Sequence, residues 1–272
     1  MSAEGIAPEQ RNPDPMALSP EFRAYPSSRA AQSTAVLDEG LRAYMLRVYN
    51  WMASGLVLTG IVAFAIANTS LIDLFYHQVM TPRGLAIAPT GLGYLAMFSP
   101  LAFVLVLSFG VNRLATSTVQ LLYWAFCVAM GASLTNIFLV YTGDSIVRVF
   151  FITAAMFGGM SLLGYTTGRD LTKMGSFLIM GLFGIIIASL VNIFLGSAGL
   201  QFVISIIGVL VFTGLIAYDT QRIKADYVQF SYQMGSDIAA KRSVYDALSL
   251  LLNFINLFLL LLQLTGNRNS SN

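Results

Sequence analysis

The stretch Val211-Phe212-Thr213-Gly214-Leu215-Ile216-Ala217-Tyr218-Asp219-Thr220-Gln221-Arg222-Ile223 decides how this chain is read. It closes an apolar run that begins near Leu200 and ends on a carboxylate, Asp219, before the sequence turns polar. A carboxylate deep in a membrane-length helix costs roughly 2.5 to 3.5 kcal/mol, and less near the headgroups. Such a residue faces a protein interior or a watery cavity and has a partner, or else it marks the membrane surface. The remainder of the chain must supply the partner.

Working outward, composition sets the class. Of 272 residues, 56% are hydrophobic and 10% charged, against about 25% charged in soluble domains. The mean hydropathy is +0.72. This is the composition of an integral membrane protein whose first partner is the lipid bilayer. A net charge of +2 is too small for a nucleic-acid partner. Cys127 is the only cysteine and lies in an apolar run, so it reads as a packing residue. His77 is the only histidine, and with no His or Cys cluster neither a transition-metal site nor a cofactor is expected.

Residues 1–40 are rich in Pro, Ser, Ala and charge and read as a disordered cytoplasmic tail. Residues 41–266 read as an all-α, seven-transmembrane helix bundle, and 267–272 as a short C-terminal tail. A span takes about 20 helical residues. The runs are Val48–Ala67, Leu92–Gly110, Val119–Val140, Ser145–Tyr165, Gly175–Leu195, Leu200–Tyr218 and Ala247–Leu264. Two connections are long, 68–91 and 219–246. Twelve of the 15 Lys and Arg residues fall on one side, with Arg83, Arg148 and Arg268 on the other. The positive-inside rule then puts the N-terminus in the cytoplasm, the C-terminus outside, and Asp219 near the cytoplasmic end of the sixth span.

The seventh span carries a polar stripe. Asp246, Ser249, Asn253 and Asn256 are spaced by three, four and three residues, on one helix face that Gln263 extends. Such a stripe faces the bundle, either as interhelical glue or as the lining of a pathway or switch. Gly181, Gly184, Ala188 and Asn192 in the fifth span, and Gly158, Gly159, Ser161 and Gly164 in the fourth, read as close-packing faces. In the sixth, Ser205, Gly208, Phe212, Leu215 and Asp219 share a face. Arg113, in the short connection after the second span, is the best cation for Asp219. Arg222 and Lys224 are nearer in sequence, but solvation accounts for them.

At these residues the chain resembles the Bax inhibitor family, in its bacterial form. Ala217-Tyr218-Asp219-Thr220-Gln221-Arg222-Ile223 is similar to the family's Tyr-Asp-x-x-x-Ile signature. The segment 247–258 is similar to its seventh helix, with Phe-Ile-Asn-Leu-Phe intact at 254–258. The resemblance implies a bacterial inner-membrane protein acting as a pH-gated calcium leak. In bacterial members two aspartates from the last two helices form a proton sensor, with an arginine after the second helix. Asp219 matches the first aspartate and Arg113 falls near the arginine, but Asn253 stands at the second aspartate. Asn253 cannot ionise, so any pH gating is expected to be weaker, or shifted to lower pH, than in a two-aspartate relative. Calcium prefers several hard oxygens. Asp219, Asn253, Asn256 and Ser249 would offer transient ligands, and no stable metal site is expected. The alternative reading is a non-transporting partner of a membrane protein, modulating a membrane protease or a stress pathway. An enzyme is not expected. No Gly-x-Gly-Asp motif accompanies Asp219, and Ser133 has no histidine on a neighbouring span.

Overall fold

A computed structural model describes residues 21–81, 84–110, 113–230 and 235–269. The described residues up to Gly40 belong to one unit and those from Leu41 onward to another. The segment expected as a disordered tail lies outside the described residues up to 20. From Glu21 its backbone is helical and continuous with the first span.

Apolar runs of membrane length must satisfy their backbone groups internally, so they become helices. Among the described residues, seven helices are long and apolar enough to cross a bilayer. The protein is a multi-pass integral membrane protein. Helix α1 covers Glu21–Ala67, α3 Gly91–Gly110, α4 Thr116–Leu134, α6 Gly143–Thr166, α7 Thr172–Leu195, α8 Ala198–Phe230 and α9 Ser236–Thr265. Two short helices, α2 (Ile72–Phe75) and α5 (Asn136–Val140), lie between them. The third expected span, Val119–Val140, is therefore α4 and α5 divided at Thr135, whose hydroxyl donates to the Gly131 carbonyl.

Three features differ from the sequence reading. The first long connection carries an antiparallel hairpin, β1 (Tyr76–Thr81) with β2 (Gly84–Pro89). The second is mostly helix: α8 runs twelve residues past Tyr218, and α9 begins eleven residues before Ala247. Hydropathy marks where lipid ends, whereas a helix continues as long as its backbone bonds and side chains support it. Here the extensions are tied together by an Arg242–Asp226 ion pair of 2.5 Å. Finally, residues 267–269 are not a loose tail. Thr142 N–H donates to the Asn267 carbonyl at 3.0 Å, Asn269 N–H to the Val140 carbonyl at 2.9 Å, and Asn267 N–H to Ser145 Oγ at 2.7 Å.

Helix α9 is the most buried span and α7 the least. The stripe residues Asp246, Ser249 and Asn253 do turn inward, and α9 packs on α4, α6 and α8. Close approach occurs at glycine. A Cβ at Gly164 would strike the Ala217 backbone, and one at Gly175 would strike the Tyr218 ring, so α6 and α7 are seated hard against the segment that carries Asp219. Gly158, Gly159 and Gly184, expected as close-packing residues, face open space instead. Their lack of a side chain is not filled by a neighbouring helix. Cys127 is buried and packs as expected, with its carbonyl accepting from Thr59 of α1 at 3.1 Å.

Candidate functional site

Asp219 sits two-thirds of the way along α8 and is 8% exposed. Its two oxygens have separate partners. Oδ2 accepts from Asn253 Nδ2 at 2.7 Å and from Ser249 Oγ at 2.9 Å. Oδ1 lies 3.0 Å from Arg222 Nη2. Arg222 also reaches Ser249 Oγ at 3.5 Å, so the hydroxyl stands between guanidinium and carboxylate. Burial of an isolated charge is expensive. Here a cation, an amide and a hydroxyl all donate to it.

The cation is therefore Arg222 and not Arg113. Arg113 lies exposed in the turn between α3 and α4, and no ion pair joins it to Asp219. The physical reason is local. Residues three apart on a helix are neighbours, and Arg222 follows Asp219 by three. That spacing was visible in Asp219-Thr220-Gln221-Arg222. A sixth span that stops at Tyr218 leaves Arg222 as a solvated residue beyond it, whereas α8 continues to Phe230 and makes it a helix neighbour of Asp219.

Asp246 is also separate from Asp219. It is 8% exposed and accepts a 2.6 Å hydrogen bond from Tyr44 of α1, whose ring stacks on Tyr227 at 4.8 Å. Asp246 thus closes the contact of α9 with α1 and α8, two turns before Asn253 along the same face of α9.

A cavity of about 970 Å³ extends from this cluster between α3, α4, α7, α8 and α9. Asp219, Arg222, Ser249 and Asn253 line one end. Asn256 lines it a turn further along and makes no side-chain hydrogen bond among the described residues. Beyond Asn256 the wall is apolar, with Phe212, Leu259 and Leu260. At the other end Gln263 Oε1 accepts from Gln201 Nε2 at 2.7 Å and from Ser205 Oγ at 3.0 Å. Asn192 of α7 donates to Gln201 Oε1 at 3.1 Å. This chain of amides was only half visible in the sequence. Asn192, Ser205 and Gln263 stood out on their faces, whereas Gln201 lies at the first turn of α8 with no periodic signal.

The arrangement has the parts of a polar route through an apolar wall. A buried carboxylate is held by a cation at one end, one unpartnered amide lies along the way, and neutral amides close the other end. Among the described residues no three acidic, His or Cys side chains come together as a metal cluster.

Comparison with known proteins fits this architecture. A family profile described as inhibitor of apoptosis-promoting Bax1 matches residues 41–270. A protein of Rickettsia prowazekii is 49% identical over 232 residues, 85% of this chain and 92% of its own. The inner membrane protein YbhL of Escherichia coli K12 is 44% identical over 230 residues, 84% of this chain and 93% of its own. A membrane protein of Streptococcus pyogenes is 33% identical, over 84% of this chain and 94% of its own. The match spans the whole seven-helix domain, including the residues around Asp219 and Asn253, and the chain belongs to the Bax inhibitor family of integral membrane proteins.

Proposed function

We propose that the protein is a cation leak, with calcium as its physiological ion, controlled by the protonation of Asp219. The observation that carries this reading is the buried carboxylate clamped by Arg222 at one end of the 970 Å³ cavity. With Asp219 ionised, the guanidinium is held across that end. Protonation removes the charge that holds it, and Arg222 is freed toward solvent, where 41% of its side chain already lies. Flux rises as pH falls. Ser249 and Asn253 of α9 face the same carboxylate, and neither ionises in this range. One carboxylate and the Asn253 and Asn256 carbonyls offer few hard oxygens, so calcium passes and is not stored. The distribution of Lys and Arg supports a cytoplasmic N-terminus, with the Asp219 end facing the cytoplasm.

Calcium flux into liposomes, followed against pH for wild type, Asp219→Asn and Asn253→Asp, tests the proposal. Asp219→Asn holds the protonated-like state, and its flux loses pH dependence. Asn253→Asp places a second carboxylate beside the first, and the response moves toward neutral pH because two adjacent carboxylates do not both ionise cheaply. Unchanged pH profiles in both variants would overturn the gate. Absence of flux from all three is the result a non-transporting partner would give.

A further inference from the structure

Between α1 and α6 lies a second cavity, of about 470 Å³, outside the site described above. On α1 it is lined by Arg42, Met45, Leu46 and Tyr49, and on α6 by Gly158 and Leu162 among others. The α1 residues follow the spacing of a single helix face. The polar atoms in its floor are already satisfied: Tyr49 Oη and Ser161 Oγ are 2.5 Å apart, and Ser161 Oγ is 3.0 Å from Thr220 Oγ1. What the groove offers is hydrocarbon surface along its length and a charge at one end. Arg42 stands at that end, exposed, without an ion-pair partner among the described residues. Lys224 of α8 lies beside the groove residue Tyr165, donating to its carbonyl at 2.9 Å with its ammonium 4.9 Å from the Tyr165 ring centre. Among the described residues no acidic side chain lines the groove.

We propose that this groove is a binding site for one anionic phospholipid, with an acyl chain between α1 and α6 and the phosphate on Arg42 and Lys224. The direction is right for a lipid. Arg42 lies near the start of the membrane domain, where headgroups sit, and Tyr49 lies about 10 Å deeper along α1 at a rise of 1.5 Å per residue. Basic positions beside a membrane helix favour anionic headgroups over zwitterionic ones. Gly158 keeps the groove open. An added Cβ there meets no atom within 4 Å, so a large side chain would enter the groove without displacing protein. Gly159 has the same freedom but does not line the groove.

The test is native mass spectrometry of the full chain, released from nanodiscs of equimolar phosphatidylglycerol and phosphatidylcholine with identical chains. Wild type retains one phosphatidylglycerol in preference to phosphatidylcholine. Arg42→Gln lowers that preference about five-fold, the ratio expected for loss of one surface cation. Gly158→Phe abolishes retention of either lipid, and Gly159→Phe retains phosphatidylglycerol as wild type does. Equal retention of the two lipids by wild type means annular lipid only and overturns the proposal. So does a Gly158→Phe protein that still holds phosphatidylglycerol. If Gly158→Phe does not accumulate, Arg42→Gln decides, since an unchanged preference in that surface variant is equally fatal.

Discussion

At one end of the large cavity Asp219 receives a guanidinium, an amide and a hydroxyl. At the other, about 15 Å away along the α9 axis at 1.5 Å per residue, Gln263 receives an amide and a hydroxyl and no cation. Both ends join α8 to α9, by three side-chain contacts at the carboxylate end and two at the amide end. They differ in that a proton can change one and not the other. Interhelical hydrogen bonds between neutral groups in a membrane contribute only about 0.6 to 1.7 kcal/mol each. The amide end therefore holds the helices together at any pH, while the carboxylate end is conditional. In the leak proposed above, control would then sit at the Asp219 mouth.

That contrast can be broken most directly at the ion pair. Asp219→Asn is expected to give the largest effect, a calcium flux that no longer varies with pH. Arg222→Gln removes the other half of the pair and is expected to raise flux toward the acid level at neutral pH. Arg113→Gln, at the exposed turn, leaves both the level and the pH profile unchanged, and the same liposome titration reads all three. At the neutral end, Gln263→Leu is expected to lower stability by about 1 kcal/mol, as for loss of an interhelical hydrogen bond, read as a small drop in detergent melting temperature. Its flux keeps the wild-type pH profile; a shifted profile would show that the two ends do not act separately.

The smallest expected effect lies outside the cavity. Asp170, in the connection before α7, accepts from both the backbone N–H and the hydroxyl of Thr172. These bonds hold its carboxyl below the usual carboxylate range. A carboxyl with a lowered folded-state pKa stabilises at pH above its unfolded value, and that contribution fades as pH falls through the folded one. The protection factor of the Thr172 amide, its exchange relative to the intrinsic rate at each pH, should fall slightly on acidification, and Asp170→Asn should flatten that dependence while leaving the flux profile alone.

The seven spans were legible because a run of about 20 apolar residues has few other fates. The inward turn of Ser249 and Asn253 was legible because polar atoms avoid lipid. The ends of the helices were not legible. Past Tyr218 the sequence becomes charged, and hydropathy cannot tell a solvated helix from a loop. That single error moved Asp219 from the interior of α8 to its end, and Arg222 from a helix neighbour to a loop residue. The Tyr44–Asp246 contact spans 202 positions, and nothing in either local pattern announces it. The fourth span, α6, differs from its sequence reading in another way. Gly158, Gly159 and Gly164 look alike in sequence, but only Gly164 meets a neighbouring backbone.

The strand-like pairing of Tyr141 with Arg268, and the bonds that flank it, have a mechanical consequence. They stitch the residues after α9 to the link between α5 and α6, a few positions from Gln263. A pull on those last residues, from a fused tag or a tether, would load that seam directly and the amide mouth behind it. A readout attached at that terminus therefore samples a stressed part of the bundle, and a neutral attachment point has to be sought elsewhere.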